Sequence, residues 1–142
     1  MATVTEVKGL KIALLIMRLS FAAFFAVWVI EKFVAPETTQ RIWKAFYFVE
    51  AIPLEASYVI GAVQAVILIA FVLGIAKLLS TGLLVVMHGL STLSTWERLI
   101  DPYTAVNHLF WAAVPALGLI IALLILREHD TLLTVGGNKV SS

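Results

Sequence analysis

Four long apolar runs, at about residues 10–34, 57–76, 78–96 and 106–126, leave this 142-residue chain few ways to fold. A helix crossing the hydrocarbon of a bilayer needs about 20 largely apolar residues, and each run approaches or exceeds that length. A soluble domain of this size could not bury four such segments on every side. Composition agrees, with 61% hydrophobic and 13% charged residues and a mean hydropathy of +1.01. The sequence therefore predicts an all-α fold, an integral membrane four-helix bundle forming a single transmembrane domain over residues 1–142.

The first run contains Arg18 and ends in Glu31 and Lys32, and residues 1–10 lack the charged start and small-residue cleavage site of a signal peptide. A retained first helix is expected. The absence of cysteine removes thiolate metal sites, iron–sulfur ligation and disulfide exchange from the chemistry open to the chain. A net charge of +1 without a basic run gives no footprint for nucleic acid.

Four crossings place both termini on one side, with Lys8, Lys11, Lys77, Arg127 and Lys139. The other side holds Lys32, Arg41, Lys44 and Arg98 together with Glu31, Glu37, Glu50, Glu55, Glu97 and Asp101. The expected location is a bacterial inner membrane with both termini cytoplasmic. Between the first two spans, residues 37–50 put Ile42, Trp43, Phe46 and Val49 at helical spacing. This segment reads as a short interfacial helix that Pro53 stops. The very short connection at residues 74–77 makes the second and third spans antiparallel neighbours, and residues 131–142 are expected to be a mobile tail.

Polar groups inside the spans carry the chemistry, because a charge at mid-bilayer costs at least about 2.5–3.5 kcal/mol. Arg18 can snorkel to the cytoplasmic interface, or bind an anionic lipid headgroup or a quinone oxygen. Gln64 shares a stripe with Gly61 and Ala65 and is expected to face another helix. His88, Thr92 and Thr95 share one face of the third span, with Ser91 and Ser94 beside them. His88 reads either as a packed histidine or as a proton relay. Asn107 and His108 open the last span, followed by Trp111 and by Pro115, which should bend it.

Arg18, Gln64, His88, Thr92, His108 and Trp111 form the candidate ligand-binding set. Glu31, Lys32, Glu55, Glu97, Asp101 and Tyr103 form an outer-face polar cluster. No spacing matches a metal motif, so no metal site is expected. His88 and His108 differ in depth by roughly 9 Å at helical rise, which disfavours haem held between them. No catalytic residue can be named.

The segment RLSFAAFFAVWVIEKFVAP, residues 18–36, resembles the first helix of the DoxX-like membrane proteins, and EASYVIGAVQAVILIAFVLGIAKLLSTGLLVVM, residues 55–87, is similar to their second helix, short turn and third helix. Arg18, Lys32, Glu55 and Gly61 carry the pattern. Helix one has alanines where that family usually has glycines. The resemblance implies a small four-helix membrane protein of the kind found as a subunit of thiosulfate:quinone oxidoreductase or beside other redox and detoxifying enzymes. It leads to an accessory or anchoring subunit of a larger redox or respiratory membrane complex, with lipid and other membrane subunits or its own copies as partners and a quinone as the possible cofactor. Two alternatives stand beside it: a stand-alone quinone-linked oxidoreductase or small transporter using His88 as proton relay, and a structural oligomeric scaffold.

Overall fold

The computed structural model describes residues 9–135. Among them the chain is helical, without strands. α1 spans Leu10–Val34, α2 Pro36–Phe46, α3 Leu54–Val72, α4 Lys77–Ser94 and α5 Trp96–Ile100, and a 3-10 segment Asn107–Ala112 runs directly into α6, Ala113–Ile125. Leu10–Val34, Leu54–Val72 and Asn107–Ile125 are long and apolar enough to cross a membrane. α4 falls outside that set, because Lys77, Ser80, Thr81, His88, Ser91, Thr92 and Ser94 dilute its leucines and valines.

The long helices pack in a ring, α1 on α3, α3 on α4, α4 on α6, and α6 back on α1. α1 supplies the largest share of the centre. Its buried residues Leu14, Arg18, Phe21, Ala22, Phe25 and Val29 recur at three- and four-residue intervals, one stripe of the helix. Phe21 meets Phe25 at 5.8 Å and Phe71 of α3 at 5.9 Å between ring centroids, and Leu68, Leu84, Ile120 and Leu123 complete the core. Gly61 sets the α1–α3 approach: a Cβ there would lie 2.9 Å from Phe33 Cε2 and 3.0 Å from Lys32 Cβ. α2 rests against both α1 and α3.

Several element ends differ from the sequence expectation, each for a local reason. α3 starts at Leu54 and stops at Val72 rather than covering 57–76. Pro53 sits ahead of its first turn, and the chain turns left-handed at Gly74 (φ 67°) and again at Ala76 (φ 45°). α2 ends at Phe46 rather than at residue 50, because Phe48 takes a left-handed φ of 57° that no α-helix continues through. The last span opens as a 3-10 helix rather than a bent α-helix. Pro115 has no N–H to offer the Trp111 carbonyl and crowds it, so the turns upstream tighten. Residues 131–135 were expected within a mobile tail, yet Val135 N donates to Leu73 O at 2.8 Å; the rest of that tail, 136–142, lies outside the described residues.

Candidate functional site

The densest polar chemistry lies at the end of the ring where α1 begins and α3 turns into α4. Arg18 is only 1% exposed there. Its Nη1 donates to Val72 O at 2.8 Å, its Nη2 donates to Leu132 O, and its Nε lies 3.2 Å from Asp130 Oδ2. That last contact joins the charges without hydrogen-bonding geometry, so Arg18 Nε is buried without a hydrogen-bond partner, and the other carboxylate oxygen, Asp130 Oδ1, is likewise buried without one. Lys77 Nζ, from the first turn of α4, donates to Asp130 O at 2.6 Å. Burial pushes the Asp130 carboxyl above the ordinary aspartate range, against the opposing pull of Arg18 and Lys77.

Segment 130–135 therefore lies across this end as a strap. Gly74 makes room for it: its φ of +67° favours glycine, and a Cβ would stand 2.5 Å from Thr134 Cγ2. The chain's own carbonyls and carboxylate surround Arg18 in this structure. Asp130 was missed in the sequence. A charge argument could have found it, since a buried arginine needs a counter-charge and residues 128–130 place acids near the matching end.

Midway along the ring, His88 is 5% exposed. Its Nε2–H donates to Ala113 O at 2.9 Å, since a carbonyl can only accept. Its ring meets Phe21 and Phe24 edge-on at 5.7 and 5.4 Å. Thr92 is buried too, with its hydroxyl bonded to His88 O at 2.8 Å one turn back. Gln64 Nε2 reaches Met87 Sδ at 4.0 Å, while its Oε1 is buried without a hydrogen-bond partner.

At the opposite end the predicted residues disperse. His108 is exposed, and Trp111, 48% exposed, ties its indole N–H to Leu99 O at 3.0 Å. Glu55, Glu97, Asp101 and Tyr103 are exposed, Tyr103 at 93%. Glu31 and Lys32 are half-buried, and Lys32 Nζ donates to Trp28 O at 3.1 Å. Among the described residues, no three histidine or acidic side chains are grouped so as to hold a metal ion. The buried polar groups at this end are others: Thr39 and Ser57 share a hydrogen bond of 2.8 Å, Ser57 donates to Lys32 O at 3.1 Å, and Asn107 Nδ2 donates to Asp101 O at 2.9 Å. They pin α2 to the α1–α3 pair and hold the loop before the 3-10 segment. Thr39 carried no signal because a lone threonine on an amphipathic helix is ordinary.

The six candidate ligand residues are absent from the lining of the two best-formed grooves among the described residues. Of these shallow surface grooves, one of about 370 Å³ lies between α1 and α3 and is lined by Ala22, Ala26 and Leu68, and the other of about 850 Å³ lies between α4 and α6 and is lined by Lys77 and Gly82 among others. Neither is lined by any of the six. Compared with protein-family models, with curated proteins and with solved structures, the chain matches none.

Proposed function

We propose that the chain is a four-helix membrane bundle with α2 at the interface, serving as an accessory or anchoring subunit of a larger membrane complex. The observation that carries this reading is the inverted polarity of α4. Its buried residues are Ser80, Thr81, Leu84, His88 and Thr92, whereas Leu78, Leu79, Val86, Leu90 and Leu93 are 57–67% exposed. Lipid favours that arrangement and water penalises it, which supports α4 as a fourth crossing beside the three more apolar helices. The same inversion bears on function. His88 and Thr92 bond the chain's own carbonyls, so these two groups serve packing, while the outward apolar faces are free for lipid and for neighbouring subunits.

Membership of the DoxX-like family, and with it a redox or respiratory complex handling a quinone, remains the biochemical setting proposed from the sequence resemblance. The basic residues divide evenly, Lys11, Arg18, Lys77 and Arg127 toward the end where the described chain starts and stops and Lys32, Arg41, Lys44 and Arg98 toward the other, so the cytoplasmic placement of the first end in a bacterial inner membrane is proposed from the acidic Glu31, Glu37, Glu50, Glu55, Glu97 and Asp101 of the other, which suit an outward face. The test is purification of the native protein in mild detergent, with mass spectrometry of its companions and assay of extractable quinone. Stoichiometric membrane companions are expected; a persistent monomer without companions or quinone overturns the subunit reading.

A further inference from the structure

We propose that Arg18 and Lys77 form an oxyanion site at the bilayer surface, that the strap 130–135 covers it as an internal stand-in ligand, and that a phospholipid phosphate competes with the strap. The inference rests on the membrane reading above. Two cations from different helices converge on one residue, Asp130: Arg18 of α1 by charge at 3.2 Å and Lys77 of α4 by a hydrogen bond to its carbonyl at 2.6 Å. The fit is incomplete. Arg18 and Asp130 are 1% and 5% exposed, yet Arg18 Nε and Asp130 Oδ1 have no hydrogen-bond partner. A guanidinium presents its donors as a planar fork matched to two oxygens of one oxyanion. Asp130 meets only one edge of that fork, and poorly, whereas a phosphate can address Nε and Nη2 together and still reach a lysine.

The strap is fastened mainly by polar contacts: the carbonyl of Leu132 to Arg18, that of Asp130 to Lys77, and the amide of Val135 to Leu73 O. Its apolar side chains contribute little, Leu133 being 79% and Val135 63% exposed. Such a segment opens locally at a lower free energy than the core beneath it. Burial also disfavours the charged form of Asp130, which weakens it as the resident anion. Lys77 joins this site to the groove between α4 and α6, whose floor runs past Leu79, Gly82 and Val86 and leaves open space above Gly82. A phosphate at Lys77 thus has an apolar path beside it for its acyl chain. Glu128, at the same mouth, pairs with Arg127 at 3.3 Å.

The full chain is reconstituted in vesicles of phosphatidylcholine, in the same vesicles with phosphatidylglycerol, and in phosphatidylcholine vesicles with added inorganic phosphate, and amide hydrogen exchange is followed. Phosphatidylglycerol is expected to speed exchange across 130–135 by about 5- to 150-fold, the range of typical coupling between sites, with the buried stripe of α1 unchanged. Lys77→Gln should abolish the difference between the two lipids. Asp130→Asn, which removes the internal charge but keeps the strap's backbone contacts, should raise the phosphatidylglycerol retained in native mass spectrometry severalfold. Equal exchange of 130–135 in both lipids overturns the proposal, and an equal response to inorganic phosphate overturns its lipid source. Flotation with the vesicles is scored separately: protein that does not float refutes membrane insertion itself.

Discussion

Arg18 shows what one buried charge demands of a small fold. Replacing it with Met leaves Asp130 buried without its main counter-charge, and removing one partner of such a pair costs about 3–5 kcal/mol. Arg18→Met should lower stability by that amount in detergent unfolding, and adding Asp130→Asn should recover much of the loss; additive losses would refute the coupling. Asp130 also predicts a pH dependence. Its carboxyl lies above the ordinary range when folded, so its contribution to stability is complete below about pH 3.9 and is lost as pH rises through the folded value. Unfolding midpoints between pH 4 and 8 should fall toward high pH in the wild-type chain and flatten in Asp130→Asn. His88, edge-on to two phenylalanines and bonded to Ala113 O, predicts a packing loss: His88→Ala should destabilise by about 2–5 kcal/mol while companions and any quinone, per folded protein, are unchanged. Loss of bound quinone in fully folded His88→Ala would instead support the relay reading.

At the level of the element, two glycines in helices make opposite predictions. Gly61 sits where a Cβ would collide with Phe33 and Lys32, whereas Gly82 has nothing within 4 Å. Gly61→Ala should force α1 from α3 and cost about 1–3 kcal/mol; Gly82→Ala should gain about 0.5–1 kcal/mol from helix propensity. Thermal unfolding of the two variants checks this, and matching signs would show that the α1–α3 crossing is looser than described. Hydropathy and small-residue spacing made α1 and the role of Gly61 readable in advance, because lipid-length runs and close helix approach are written in local sequence. The end of α2 was not, since it turns on left-handed backbone at Phe48, a residue type that announces no such turn, and the end of α3 was hidden because the apolar run continues past the left-handed Gly74 to Ala76.

For the whole molecule, the alternation of helices and loops predicts alternating access. The chain has no cysteine, so single cysteines report cleanly. Phe48→Cys and Tyr103→Cys should react with an impermeant maleimide in intact cells, Ile75→Cys and Glu128→Cys only after permeabilisation; Ile75→Cys and Tyr103→Cys reacting from one side would show that α4 does not cross. The Arg18 site was half legible: the arginine stood out, but its partners come from a stretch that sequence alone marks as tail, because a hydrogen bond across 114 positions to Leu132 and the ion pair with Asp130 leave no local pattern. That separation also has a consequence in time. A ribosome adding roughly 5–20 residues per second delivers Leu132 on the order of ten seconds after Arg18, so on the membrane reading proposed above α1 would enter the bilayer with a guanidinium whose final partners have yet to be synthesised. Biogenesis on that reading includes an interval in which the first helix depends on water, headgroups or the insertion machinery to shelter its arginine, and variants of the strap should be recognised by membrane quality control only after the last helix is in place.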